Sequence, residues 1–229
     1  MKAVEKGHDT PVTIGASLLA ADPLALRAEI RSVGGADFLH IDIMDDSFVR
    51  GVTWGRLTVE ACVADAPMPV ELHLMVADVE RWVDEFADTG CRRITFHVEA
   101  CDAPLVTAAR IRQSGCLAGL AVSPSTPLDS LAGVLGGFDH LLLMTVVPGN
   151  GGFPMIPGAV PRACAARRLL DHLGVPAVLG VDGGVDATNI GALSAAGVRS
   201  FVAGTSVFSA DDRARSIRRL RMAACRGEL

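Results

Sequence analysis

The chain has 229 residues, 50% of them hydrophobic, and a formal charge of −5. A chain of this length can bury a sizeable core in one domain, and its acidic balance lacks the phosphate-neutralising charge that nucleic-acid binding relies on. No apolar run approaches the roughly 20 residues of a bilayer span, and the opening MKAVEKGHDT has no signal-like apolar stretch, so a cytoplasmic protein with no membrane partner is expected.

Short β-rich apolar runs alternate with helical patterns along the chain, the pattern of successive βαβ units. After a flexible leader over residues 1–10, strands are predicted over Val12–Ser17, Asp37–Ile43, Pro69–Met75 and Arg92–His97. Four more follow over Leu117–Val122, His140–Thr145, Ala177–Val181 and Ser200–Ala203. Helices are expected to begin near Pro23, Leu57, Val79, Ala103, Leu128, Gly158, Asp186 and Ser209, with Asp22-Pro23 and Asp102-Ala103-Pro104 as candidate starts. The runs HLLLMTVV and VPAVLG are apolar on both faces, as strands are when one face fills a barrel and helices cover the other. Eight such units predict an α/β fold, a single-domain (β/α)8 TIM barrel over residues 1–229. Functional groups then belong at the C-terminal ends of the strands.

Composition removes several chemistries. Lys2 and Lys6 are the only lysines, so no barrel strand offers an amine for a Schiff base. Tyrosine is absent. Cys62, Cys91, Cys101, Cys116, Cys164 and Cys225 contain no C-x-x-C pair, which speaks against a zinc ribbon or a dithiol redox motif and for free thiols. The basic stretch Arg213 to Arg226 carries Ile217, Leu220 and Ala224 at helical spacing and reads as a solvated amphipathic last helix.

Polar residues interrupt three of the apolar strands near their C-terminal ends. In LHIDIM, alternation puts His40, Asp42 and Met44 on one face, and in ELHLM it does the same for His73 and Met75. The run GVDGG brings Asp182 to the mouth of the seventh strand. Two imidazoles and two carboxylates suit one borderline divalent cation such as zinc, iron or manganese, and a buried charge without a partner would be costly. Glycine-bearing loops follow strands six to eight: PGNGG with Gly149, Gly151 and Gly152, DGG with Gly183 and Gly184, and AGTS with Gly204 and Thr205. Such loops let backbone N–H groups approach a phosphate. His97 ends strand four and is expected to orient nearby polar groups; His140 lies at the bottom of strand six and His172 at a helix end, and no function is assigned to these two.

The segments ASLLAAD, LHIDIMD, ELHLMV, ITFHVEA, LLLMTVVPGNGG, VDGGV and VAGTSVF, in this order over nearly the whole chain, resemble the ribulose-phosphate 3-epimerase family. The resemblance implies that His40, Asp42, His73 and Asp182 bind the metal and that Asp42 and Asp182 exchange the C3 proton of a phosphorylated ketose from opposite faces. It further implies that Ser17 contacts the substrate region, that Met44, Met75 and Met144 form an apolar floor, and that the glycine loops hold the phosphate. The substrate pair implied is D-ribulose 5-phosphate and D-xylulose 5-phosphate. Two loops depart from the family's pattern. Where the family reads M-D-G-H-F-V-P-N, this chain has Met44-Asp45-Asp46-Ser47-Phe48-Val49-Arg50-Gly51, and N-P-G-F-G-G-Q becomes Val147-Pro148-Gly149-Asn150-Gly151-Gly152-Phe153. A hexulose or heptulose phosphate is therefore the alternative substrate, with Ser47, Arg50 and Asn150 as the residues that would admit it. A lyase or decarboxylase on the same scaffold would need a strand lysine, and a non-catalytic sugar-phosphate binder would be expected to lose a ligand. A homo-oligomer is expected.

Overall fold

The computed structural model describes residues 10–149 and 151–227. Eight strands, β1 Thr13–Ser17, β2 Phe38–Met44, β3 Val70–Met75, β4 Arg93–His97, β5 Leu117–Val122, β6 His140–Met144, β7 Val178–Asp182 and β8 Ser200–Ala203, pair in parallel. They close in sequence order, with β8 returning to β1 through Thr13↔Ser200 and Ala16↔Ala203. The predicted (β/α)8 barrel is thus the observed one, with strand ends shifted by about a residue. Of the expected leader, only Thr10 lies within the described residues, and it is buried.

Strand parity separates two cores. The outward residues, such as Leu39, Ile41, Ile43, Leu72, Leu74, Leu141 and Leu143, join one continuous apolar layer against the helices. The inward set includes Phe38, Ala121, Leu142, Met144 and Val202, which form a smaller cluster inside the barrel. Each fully buried aliphatic side chain of the outer layer contributes roughly 1.5–3 kcal/mol. His40 and Asp42 share parity with Phe38, so strand alternation alone turns them into the lumen.

The surrounding helices are α1 Leu26–Ser32, α2 Arg56–Asp65, α3 Val79–Phe86, α4 Pro104–Gln113, α5 Ala159–His172, α6 Ile190–Ala195, α7 Thr205–Phe208 and α8 Arg213–Arg226. Asp78 and Asp212 cap α3 and α8 by accepting from the backbone N–H of Arg81 and Arg215. In α8, Ile217, Leu220 and Ala224 are the buried face, as their spacing predicts.

Four expected helices differ. No α-helix follows Leu128; Leu128–Leu131 and Leu135–Gly137 form two short 3-10 turns, because Gly133, Gly136 and Gly137 disfavour a longer helix there. The expected starts at Pro23 and Asp186 fall in turns whose carboxylates accept local N–H groups, Asp22 from Leu24 and Asp186 from Thr188 and Asn189, so α1 and α6 begin later. The element expected from Ser209 is two helices, with Ser209 closing the first. No helix among the described residues is long and apolar enough to cross a membrane.

Candidate active site

The C-terminal end of the lumen gathers the polar interruptions of β2, β3 and β7. Register places Asp42 level with His73 and Met44 level with Met75, while Asp182 is level with Met144 on the other side. His40, Asp42, His73 and Asp182 each offer one ligand atom, and these atoms lie within 4.8 Å of one another. Nδ1 of His73 is 2.9 Å from Oδ1 of Asp42 and 3.5 Å from Oδ2 of Asp182; Nε2 of His40 is 3.2 Å and 3.5 Å from the same two atoms. Despite these approaches, neither ring nitrogen of His40 has hydrogen-bond geometry with any partner among the described residues. Its ring nitrogens are thus uncommitted to any hydrogen bond among the described residues and open to a cation.

The electrostatics point the same way. Burial opposes protonation of His40, but the facing carboxylates of Asp42 and Asp182 outweigh it and hold its pKa up at about 10. Burial pushes Asp42 upward, yet His40 and His73 keep it well below the usual carboxylate range. Asp182 is likewise lowered: burial and the charge of Asp42 raise it, and the facing imidazoles of His40 and His73 prevail. Two adjacent buried carboxylates cost several kcal/mol each unless positive charge faces them. Two imidazoles and two carboxylates converging on one point fit a divalent cation in their chemistry as well as their spacing.

Neighbouring groups fix this set. Ser17 Oγ donates to Asp42 Oδ2 at 2.9 Å. Thr53 Oγ1 donates to the carbonyl of Asp42 at 2.6 Å and accepts from the N–H of Met44 at 3.0 Å, clamping the end of β2 to the loop that follows. Thr145 Oγ1 does the same for β7, donating toward the carbonyls of Asp182 and Gly183. His97 Nε2 lies 3.0 Å from His73 Nε2, and Glu99 Oε2 lies 3.0 Å from His97 Nδ1. Burial raises Glu99, but hydrogen bonds from His97, Thr126 and Ser123 hold its pKa down at about 2.

Above the carboxylates opens a cavity of about 780 Å³. Asp42, Asp182, Ser17, Met44, Met75 and Met144 line it, together with Gly149, Gly151, Gly152, Gly183, Gly184, Gly204 and Thr205. The residues assigned from the sequence to metal, proton transfer, substrate or phosphate thus all line this cavity except His40 and His73, which lie behind the carboxylates at 3% and 0% exposure. Gly184 has a φ of 63° and a Cβ there would stand 2.3 Å from the backbone nitrogen of Met155, so no side chain fits. The first turn of α7 adds N–H groups that have no helical acceptor.

Comparison with known proteins agrees with this geometry. Residues 13–208 match the model of the ribulose-phosphate 3 epimerase family.

The chain belongs to that family. It is 40% identical over 211 residues to the ribulose-phosphate 3-epimerase of Mycobacterium tuberculosis, covering 92% of both chains. It is 41% identical to ribulose-phosphate 3-epimerase 1 of Cupriavidus necator, over 90% of this chain and 88% of that one, and 37% identical to the enzyme of Bacillus subtilis, over 92% and 98%. Family membership makes the protein an epimerase, hence an isomerase. Among solved structures, KGPDC from Streptococcus mutans superposes with a TM-score of 0.72 at 15% identity, over 95% of this chain and 98% of that one. Orotidine 5'-phosphate decarboxylase from Pyrococcus horikoshii gives 0.66 at 10%, over 93% and 99%; both are likenesses of fold.

In the loops that depart from the family's pattern, Arg50 turns outward: its side chain is 96% exposed and pairs with Asp46 at 3.8 Å. Ser47 ties the loop down, bonding to Asp45 and accepting from the N–H of Ala77 at 3.0 Å. Asn150 lies outside the described residues. Thr53 and Thr145 escape sequence reading because each closes onto a backbone atom well away in the chain, and Glu99 because the Ser123 loop that anchors it is distant. Only the polarity of Glu99 two residues after His97 gave any signal.

Proposed function

We propose that the protein is a metal-dependent 3-epimerase of a phosphorylated ketose, with D-ribulose 5-phosphate and D-xylulose 5-phosphate as its substrate pair. The observation that carries this reading is the convergence of Asp42 and Asp182, from strands separated by β8 and β1, on one cavity floor beside the two ligand histidines. The names of the relatives at 37–41% identity favour the pentulose over a longer ketose.

His40, Asp42, His73 and Asp182 would hold one divalent cation, zinc, iron or manganese. When bound, the cation supplies positive charge where negative charge develops on the sugar oxygens next to C3. Asp42 and Asp182 then divide the proton work. One carboxylate removes the C3 proton on its side of the sugar, and the other, protonated, delivers a proton to the opposite side. The reverse reaction exchanges their roles, so a single site serves both directions. Ser17, donating to Asp42, keeps that carboxylate turned toward the cavity, and the methionine sulfurs provide a water-poor wall. Glycine-loop N–H groups at the rim bind the phosphate and so fix how far along the floor C3 lies.

Chelator-treated protein should lose epimerase activity with D-ribulose 5-phosphate and regain it on adding zinc, iron(II) or manganese. Full activity after complete metal removal would contradict the reading. A kcat/KM higher for a hexulose or heptulose phosphate would replace the pentulose while keeping the chemistry.

A further inference from the structure

Behind the ligand set runs a chain of single hydrogen bonds that ends on a carboxylate, and the direction of every bond in it can be worked out. Glu99 Oε1 accepts the backbone N–H of Ser123 at 2.8 Å and the hydroxyl of Thr126. Its other oxygen faces Nδ1 of His97 at 3.0 Å. An ionised carboxylate only accepts, so His97 carries its proton on Nδ1. A neutral imidazole then has a lone pair on Nε2, and that atom faces Nε2 of His73 at 3.0 Å. His73 must therefore place its proton on Nε2. Its Nδ1 lies 2.9 Å from Asp42 and 3.5 Å from Asp182, so any proton there is donated to those carboxylates, and it is this proton, not the one held on Nε2 by the relay, that a cation would displace.

We infer that Glu99 and His97 are positioning residues that set the tautomer of His73, presenting its Nδ1 rather than an N–H to the cation. The inference rests on the metal-site reading above, but its own observable is where protons sit. Partners of a metal-bound histidine's second nitrogen commonly govern affinity by about 10–100-fold. Here two histidines separate carboxylate from site. The outer carboxylate is anchored by the loop after β5, whose Ser123 and Thr126 carbonyls in turn accept from Arg162 on α5. His97 is fully buried, and the ring of Phe48 lies 4.8 Å from it, centroid to centroid, which leaves the imidazole little freedom to rotate.

Glu99→Gln distinguishes a proton-setting role from a merely structural or electrostatic one. The backbone N–H of Ser123 cannot reverse, so the amide oxygen must face it and the NH2 must face His97. His97 would then accept at Nδ1 and donate from Nε2. His73 would be driven to carry its proton on Nδ1, in the cation's place. Glu99→Ala loses the same charge and more packing but imposes no wrong direction. The account predicts that Glu99→Gln weakens zinc binding by about 10–100-fold and more than Glu99→Ala does, measured by competition with a chromogenic chelator. In 15N-detected histidine spectra of the zinc-loaded wild type, His97 should be protonated at Nδ1 and His73 at Nε2, with the His97 proton moving to Nε2 in Glu99→Gln. Equal or lesser weakening in Glu99→Gln than in Glu99→Ala, or a wild-type His97 protonated at Nε2, would overturn it. Should Glu99→Gln not fold, the wild-type tautomers decide alone. Should the wild type bind no metal, the metal reading fails, while the His97 tautomer still tests the relay.

Discussion

The two ends of the barrel lumen hold the same kinds of side chain and do opposite things with them. At the N-terminal end, Glu71 and Arg93 form a buried ion pair beside His140 and Ser200. Gly180 makes room for the ring of His140, since a Cβ there would stand 2.4 Å from its Nε2. Burial, with Arg93, His40 and His73 facing it, lowers the pKa of His140 well below the usual value, so this end is a neutral imidazole and a self-cancelling pair. At the C-terminal end, two carboxylates face two imidazoles under an open cavity. Burial of charge is thus common to both ends. What sets the candidate site apart is that its ligand atoms converge on space, whereas the charges at the bottom converge on each other.

Substitution should separate the two ends. Asp42→Asn and Asp182→Asn should each lower kcat/KM with D-ribulose 5-phosphate by about 10³-fold or more, since each removes a proton-transfer group and a proposed ligand; wild-type turnover by either would break the two-carboxylate scheme. At the other end the cost should fall on stability. Glu71→Gln leaves Arg93 buried without its counter-charge and should destabilise the fold by about 3–5 kcal/mol, seen as a lowered midpoint in urea unfolding. The double change Glu71→Leu with Arg93→Met should restore most of that and leave kcat/KM of the folded enzyme unaltered. If the double variant loses turnover, the bottom of the lumen is not the inert counterpart described here.

The smallest effect is expected at His140. Its folded pKa is depressed, so it contributes stability above its unfolded pKa of about 6.5, and that stability is lost as pH falls below this value, where the unfolded chain takes up the proton more readily. His140→Leu should therefore flatten the decline in stability between about pH 7 and pH 5, followed by unfolding midpoints at each pH, with little change at pH 8. An unaltered slope would show that this imidazole is reached by water or a partner after all.

The lumen's two ends also differ in how far the sequence reveals them. Alternation in LHIDIM and ELHLM is enough to put His40, Asp42 and His73 on one inner face, because a strand leaves no choice of side. The glycines of DGG and AGTS announce loops, those of DGG at positions where no side chain fits, and the barrel brings these loops to one rim. The ion pair at the bottom is less legible, since Glu71 and Arg93 meet only through the β3–β4 register. Thr53 and Glu99 are similar: one closes onto a backbone atom of β2, the other onto a loop more than twenty residues away. The turns after Leu128 are hidden in the sequence because apolar spacing there mimics a helix while its glycines resist one. Loop conformation also decided the fate of Arg50, which turns to solvent.

The central claim, that the converging end of the lumen exchanges the proton at C3 of a ketose phosphate, is tested most directly by NMR in deuterated water. Metal-loaded protein incubated with D-ribulose 5-phosphate should place deuterium at C3 alone while D-xylulose 5-phosphate accumulates, and Asp42→Asn and Asp182→Asn should each suppress net inversion. Deuterium at another carbon, or no exchange at C3 with any five- to seven-carbon ketose phosphate, would contradict the account.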